Sequence, residues 1–78
     1  NMKTIKILGT GCAKCKATEQ VVRAAIAKHN IEATVEKVED IQQIIEYNIL
    51  STPAVVVDEV VKIKGRVPSE SEIIEALS

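Results

Sequence analysis

The sequence KTIKILGTGCAKC at residues 3–15 decides the fold that we predict for this chain. Residues 3–8 alternate between polar and apolar side chains and then become apolar, which predicts a β-strand. A Gly-Thr-Gly segment follows and interrupts that strand. From Cys12 to about His29, apolar residues recur along one face at helical spacing. The chain is therefore predicted to pass from a strand directly into a long helix.

The end of this helix and the segment after it extend the pattern. Lys28 and His29 place cations where the helix dipole favours them, and Asn30 suits a left-handed C-cap. Residues 31–38 alternate in part, which predicts a second strand. A strand, a helix and a strand in succession predict a right-handed βαβ unit with parallel strands.

A second helix is predicted to begin at Asp40. The Asp40 side chain can accept a hydrogen bond from the backbone near Gln43, and Gln43 can reach back, which is a capping-box pattern. The apolar face of this helix is predicted to comprise Ile41, Ile44 and Ile45.

A hairpin and a last helix are predicted to complete the chain. After a loop at 48–53, residues 54–57 form a continuous apolar run that is typical of a buried strand. Asp58-Glu59 separates this run from a partner strand at 60–64. Ser69 and Glu72 give a capping-box pattern at the start of the final helix. The residues of that helix predicted to face inward are Ile73, Ile74 and Leu77.

The order β-α-β-α-β-β-α predicts an α/β fold in one domain, residues 1–78, with a four-stranded mixed sheet and helices on both faces. The chain is 46% apolar and 27% charged, with a net charge of −1. This near-neutral balance argues against a nucleic-acid partner, and no apolar run approaches the ~20 residues of a membrane span. No signal-peptide pattern precedes the first strand, so we expect a cytoplasmic protein. We also expect the protein to be a monomer.

Cys12 and Cys15 are the candidate catalytic residues. Their spacing in the first turn of a helix allows a disulfide, and the helix N-terminus favours a thiolate. Lys14 and Lys16 add positive charge, so we expect the pKa of Cys12 to lie below the free value of about 8.5. Cys12, at the helix end, is predicted to attack a partner disulfide, and Cys15, one turn further in, to resolve the mixed disulfide. The competing interpretation is a pair of inert, buried cysteines.

Thr52-Pro53 is the second candidate element, because it directly precedes the predicted buried strand. Proline lacks a backbone donor and can open a strand but not lie within a central one. An X-Pro bond can also be cis at modest cost. The alternative is a proline that merely ends a loop.

Three segments of the chain resemble the small, glutaredoxin-sized thioredoxin-fold proteins that are described as redox-active disulfide proteins in archaea and bacteria. These segments are residues 11–15 (GCAKC), 51–54 (STPA) and 65–69 (GRVPS). The resemblance covers nearly the whole chain and implies a thioredoxin fold. It also implies that Pro53 is cis and lies against the cysteine pair, and that Thr52 offers backbone hydrogen bonds to an extended substrate.

The chain also departs from the relatives it resembles. No Trp precedes Cys12, and neither Gly-Pro nor Pro-Tyr separates the two cysteines. Thioredoxins carry a buried acid six residues before the first cysteine, where this chain has Lys6. Lys6 is either another cation beside the site or a solvated strand residue. Arg66 is a weaker candidate for the site rim, and His29 and Tyr47 are predicted to be structural.

The predicted function is reduction of protein disulfides by dithiol exchange, which needs no bound cofactor because the two cysteines carry the electrons. The resemblance implies an NAD(P)H-linked disulfide reductase as a partner. The main alternative is a soft-metal chaperone that binds Cu(I) or Zn through the same pair. Such domains run β-α-β-β-α-β, however, and two cysteines with one remote histidine do not complete a structural zinc site. A third possibility is a domain that keeps the fold but serves in protein interaction.

Overall fold

Strands β1 and β3 form the centre of a four-stranded sheet in the computed structural model, which describes residues 2–78. The elements follow the predicted order. They are β1 (Lys3–Leu8), α1 (Ala13–Lys28), β2 (Ala33–Val38), α2 (Ile41–Glu46), β3 (Ala54–Val57), β4 (Val60–Lys64) and α3 (Glu70–Ala76). None of the helices in this part of the chain is long and apolar enough to cross a membrane.

The sheet is mixed, as predicted, with the strand order β2-β1-β3-β4. β1 and β2 are parallel, whereas β3 is antiparallel to both β1 and β4. All four residues of β3 are buried, while β2 has no buried residue and β4 has only one. The continuous apolar run thus becomes a central strand, and the mixed patterns become edge strands.

Two apolar clusters lie on opposite faces of the sheet. One cluster joins Ile5 and Ile7 of β1 to α1 and α3. The other joins Leu8 to Ile44 of α2 and to Ile49 in the following loop. The alternation of side chains along β1 therefore divides the core, and helices cover both faces as predicted.

The helix ends follow the predicted capping in two places. At the end of α1, Asn30 has a φ of 57°, and the Ile31 N–H donates to the Ile26 carbonyl at 2.9 Å. At the start of α3, Ser69 and Glu72 form both hydrogen bonds of a capping box. These local signals depend on neighbouring residues only, so they can be identified from sequence.

Helix α2 differs from the prediction. Ile44 is buried, but Ile41 is 55% and Ile45 is 58% exposed, so the predicted three-residue inner face is wrong. The helix has only six residues, of which Ile44 alone is buried. Ile49, in the loop after the helix, packs in the same apolar cluster as Ile44. Asp40 caps the helix through the Gln42 N–H at 2.9 Å rather than through Gln43.

Two elements also begin later in the chain than predicted. α1 begins at Ala13, with Cys12 as its N-cap, and β2 begins at Ala33 rather than at residue 31.

Asp58 and Glu59 form a tight hairpin turn between β3 and β4, and both have positive φ values of 48° and 69°. Two successive left-handed residues match the twist of the strands they join. Asp58 is held by Thr4, whose N–H donates to its carboxylate and whose carbonyl accepts from its N–H, each at 2.9 Å. These contacts with β1 explain a turn that lacks glycine.

Candidate active site

The end of β1 brings two distant parts of the chain together. Leu8 is paired with Ala54 of β3 in antiparallel register, so the Thr52-Pro53 segment lies beside the residues that follow β1. The Gly65 N–H donates to the Pro53 carbonyl at 2.9 Å. The cysteine pair and the Thr52-Pro53 loop therefore share one end of the sheet.

Cys12 occupies the N-cap of α1 and is exposed. Its Sγ accepts a hydrogen bond from the Cys15 backbone N–H at 3.3 Å. A thiol in the position of an N-cap oxygen takes up one of the free N–H groups of the first helical turn. The same hydrogen bond stabilises a thiolate, because the negative charge strengthens it.

Cys15 lies one turn into the helix and is only 6% exposed. Its Sγ is 2.7 Å from the Sγ of Cys12. The structure therefore places an exposed thiol and a buried thiol in direct contact, which is the arrangement predicted from their spacing.

The pKa values of the two thiols move in opposite directions. The Cys15 thiol, followed by the Cys15 backbone N–H, lowers the pKa of Cys12 by hydrogen bonding. Burial, followed by the hydrogen bond to Cys12, raises the pKa of Cys15. The main causes are thus hydrogen bonding, which includes the N–H groups of the helix N-terminus as predicted, and burial, whereas the ammonium groups of Lys14 and Lys16 are not among the main causes. Cys12 is favoured as the thiolate and Cys15 as the protonated donor.

The Thr52-Pro53 peptide bond is cis. Pro53 is buried while Thr52 remains exposed. A Cβ built on Gly9 would lie 3.9 Å from the Cβ of Thr52 and would overlap the Sγ of Cys15. Thr52 and Cys15 therefore both lie close to Gly9, on the side where its Cβ would be.

Gly9 is a site residue that the sequence analysis missed. Its Cα faces the buried Cys15 side chain so closely that any other residue would collide with Sγ. The sequence marked Gly9 only as the end of a strand. A glycine between a strand and a cysteine pair is the available signal, because glycine marks a close approach of backbone to other groups.

Lys6 does not face the cysteines. Its Nζ lies 3.0 Å from the Tyr47 hydroxyl and 3.0 Å from Glu59, and the Tyr47 hydroxyl donates to Glu59 at 2.7 Å. Tyr47 packs against the Leu8 cluster on the α2 face. The residue that replaces the expected acid thus joins β1, the end of α2 and the hairpin turn.

The remaining candidates, His29 and Arg66, form ion pairs with glutamates of α3. His29 contacts Glu70 at 2.9 Å between α1 and α3, and Arg66 forms a two-point pair with Glu72. Within residues 2–78, no group of three or more His, Cys, Asp or Glu side chains is arranged to hold a metal ion. The α2 helix between β2 and β3 and the final helix α3 also differ from the β-α-β-β-α-β order of metal-chaperone domains.

Comparison with known proteins agrees with this site. Residues 3–78 match the family model described as the thioredoxin domain. The chain is 42% identical over 77 residues to a protein named thioredoxin from Methanothermobacter thermautotrophicus, covering 99% of this chain and all of that protein. It is 41% identical over 76 residues to a thioredoxin from Methanocaldococcus jannaschii, covering 97% of this chain and 87% of that protein.

The fold, the dithiol and these similarities define a thiol–disulfide oxidoreductase. The chain belongs to the thioredoxin domain family, as the sequence resemblance indicated.

Proposed function

We propose that this chain reduces disulfides in other proteins, with Cys12 as the attacking thiolate and Cys15 as the resolving thiol. The observation that carries the proposal is the asymmetry of the pair. Cys12 is exposed and its pKa is lowered, whereas Cys15 is buried, its pKa is raised, and its Sγ lies 2.7 Å away. A partner disulfide can reach only the exposed Sγ of Cys12. The lowered pKa of Cys12 favours the thiolate, which is the nucleophilic form.

The exchange proceeds in two steps. The Cys12 thiolate attacks one sulfur of the partner disulfide, and the other partner sulfur leaves as a thiolate. Cys15 then loses its proton and attacks Cys12, so that a Cys12–Cys15 disulfide forms and the second partner sulfur leaves. Two electrons pass from the dithiol to the partner, and no bound cofactor is needed.

Thr52 and Pro53 are proposed to bind the partner segment that carries the disulfide. Three features support this role: Thr52 is exposed, it lies close to Gly9 on the same side as Cys15, and the loop is anchored by the Gly65 N–H. An extended segment seated here would present its sulfur towards Cys12. Backbone groups of Thr52 would form hydrogen bonds with the backbone of this segment, so binding would not depend on the side chains of the segment.

Turnover requires a second partner that reduces the Cys12–Cys15 disulfide. We propose that an NAD(P)H-linked disulfide reductase takes this role, and that the chain acts as a monomer and as one domain over residues 1–78. A cytoplasmic location accords with a reducing dithiol, because thiols stay reduced in that compartment.

The test compares wild type with Cys12→Ser and Cys15→Ser, using a protein disulfide such as insulin as substrate. We expect wild type to form an intramolecular disulfide in a series of dithiol/disulfide redox buffers and to reduce the substrate. Cys12→Ser should be inactive, and Cys15→Ser should accumulate the mixed disulfide. If wild type forms no internal disulfide across the physiological range of potentials, or if Cys12→Ser is the variant that traps substrate, the assignment is wrong.

A further inference from the structure

A small cavity adjoins the buried thiol of Cys15, on the side of the sheet covered by α1. Its volume is about 40 Å³, which exceeds the ~10–15 Å³ that one water molecule requires. Cys15 and two carboxylates, Glu19 and Glu39, are among the residues that line it. The cavity therefore joins the resolving thiol to groups that can accept a proton.

Cys15 needs such an acceptor. Burial keeps this thiol protonated, yet it must become a thiolate before it can attack Cys12. Lys6, at the position of the family's buried acid, is turned to the other face of the sheet and hydrogen-bonded to Tyr47. The proton has to leave by another route.

The two carboxylates of the cavity differ in their contacts. Glu19 is bound by Arg23 at 2.8 Å and by Lys37 at 3.6 Å, and the hydrogen bond from Arg23 lowers its pKa. A carboxylate held by two cations is a weak base. Glu39 enters none of the ion pairs formed within residues 2–78.

Glu39 is also held near the cysteines. It directly follows β2, where the Gly9 N–H donates to the Val38 carbonyl at 3.0 Å. Its Oε2 lies 3.4 Å from the position that a Cβ on Gly11 would take, and Gly11 directly precedes Cys12. The carboxylate and the buried thiol thus face the same small space.

We propose that Glu39 accepts the proton of Cys15 through this cavity during the second step of the exchange. The Cys15 S–H gives its proton to a water molecule, which passes one to the Glu39 carboxylate. The Cys15 thiolate attacks Cys12, the Cys12–partner bond breaks, and the partner sulfur leaves as a thiolate. The neutral Glu39 carboxyl then returns its proton to solvent. This role rests on the proposed assignment of Cys12 and Cys15.

Other charged groups face the cavity from each neighbouring element. Lys16 and Glu19 belong to α1, and Lys37 belongs to β2. Lys37 is paired with Glu19, so the cation that remains beside the path is Lys16. A variant that removes the charge of Glu39 without changing its size isolates its contribution from theirs.

The experiment follows the reaction of the reduced protein with 5,5′-dithiobis(2-nitrobenzoate) in a stopped-flow spectrometer. The first nitrothiobenzoate is released when Cys12 attacks, and the second when Cys15 attacks the mixed disulfide. The rate of the first phase therefore measures the reactivity of Cys12 and shows that the variant is folded. The rate of the second phase measures the reactivity of Cys15. The variants are Glu39→Gln, Glu39→Asp as a conservative rescue, Glu19→Gln as a control in the same cavity, and Glu36→Gln as a control on β2 outside the cavity.

We expect Glu39→Gln to slow the second phase about tenfold at roughly pH 6, which is less than the typical general-base contribution of about 10²–10⁴-fold because solvent also takes protons. The difference should shrink as the pH rises, because hydroxide then removes the thiol proton directly. Glu39→Asp should recover part of the rate, and the two controls and every first phase should match wild type. A carboxylate that acted only through its charge would have the opposite effect, since its removal lowers the thiol pKa and speeds the step.

Three results would overturn the proposal: a second phase in Glu39→Gln that equals or exceeds the wild-type rate at every pH, an equal slowing at every pH, or slowing in Glu19→Gln alone. If wild type releases only one nitrothiobenzoate, the assignment of Cys15 as the resolving residue fails as well. That outcome is distinct, because it appears before any variant is compared.

Discussion

At the scale of the residue, the cysteine pair depends on a neighbour that contributes no side chain. Gly9 lets the backbone at the end of β1 lie directly against Cys15, so the thiol is buried while staying within reach of Cys12. The sequence predicted the exposed and buried positions of the two cysteines, because helical spacing alone sets them. It did not predict the Gly9 contact, since a glycine after a strand marks a close approach of other groups without showing which side chain makes it.

We expect Gly9→Ala to lower the free energy of unfolding by about 1–3 kcal/mol, the usual cost of overpacking a filled core. The added Cβ overlaps the Sγ of Cys15, and the Cβ of Cys15 lies next at 3.2 Å. Urea denaturation measures the loss, with Thr10→Ala, at the exposed neighbouring position, as the control.

A double variant separates this steric cause from a general preference for glycine. In a Cys15→Ala background the colliding sulfur is absent, so Gly9→Ala should cost clearly less than it does in wild type. Equal costs in the two backgrounds would show that the contact with Sγ is not the reason for glycine at this position.

At the scale of the element, helices α2 and α3 show what sequence patterns capture. The start of α3 was predicted correctly because the capping box requires only Ser69 and Glu72. The inward face of α2 was not, because Ile41 and Ile45 satisfy the same periodicity as Ile44 yet lie exposed. In so short a helix, which isoleucine is buried depends on where the edge of the sheet lies. The position of that edge is set by tertiary structure and not by the local sequence.

We expect the stability that Glu72 contributes to α3 to depend on pH. Arg66, followed by the Ser69 backbone N–H, holds the pKa of this carboxyl at about 2, below the ordinary value of about 4.3. A carboxyl with a lowered folded-state pKa stabilises the fold above its unfolded pKa, and that stabilisation is lost as the pH falls through the folded value. Wild type should therefore be more stable than Glu72→Gln at neutral pH, and the difference should shrink between about pH 4.3 and pH 2.

Urea unfolding of both proteins across this range measures the difference. Glu75→Gln is the matched control, because Glu75 is exposed on the same helix and enters no ion pair among residues 2–78. A gap between wild type and Glu72→Gln that stays constant down to about pH 2 would contradict the assigned contacts.

At the scale of the whole molecule, one sheet joins the site and both apolar clusters. The buried run at 54–57 predicted a central strand, and the parallel β1–β2 pair followed from the βαβ order. The placement of β3 beside β1 was not predictable from local patterns, although it brings Thr52-Pro53 next to the cysteines. Local patterns therefore predicted the site as two separate segments, and only the family resemblance indicated that the segments lie together.

A pair of leucines tests whether the molecule unfolds as one unit. Leu8 is fully buried at the end of β1, whereas Leu50 is 101% exposed. Leu8→Ala should cost about 2–5 kcal/mol, and Leu50→Ala less than about 0.5 kcal/mol. Proteins of this size have about 4–12 kcal/mol of stability in total, so the first loss is a large fraction.

The sheet shared by the two apolar clusters also determines whether Leu8→Ala lowers the stability of both faces together. Leu8 belongs to the cluster on the α2 face, while Cys15 lies on α1, whose apolar residues pack on the other face. Because β1 contributes to both clusters, Leu8→Ala should shift the urea midpoints of far-ultraviolet circular dichroism and of Cys15 alkylation, measured in a Cys12→Ser background, by the same amount. If Cys15 kept its wild-type midpoint while the helical signal fell earlier, the two faces would unfold separately, and the proposal of one domain over residues 1–78 would be wrong.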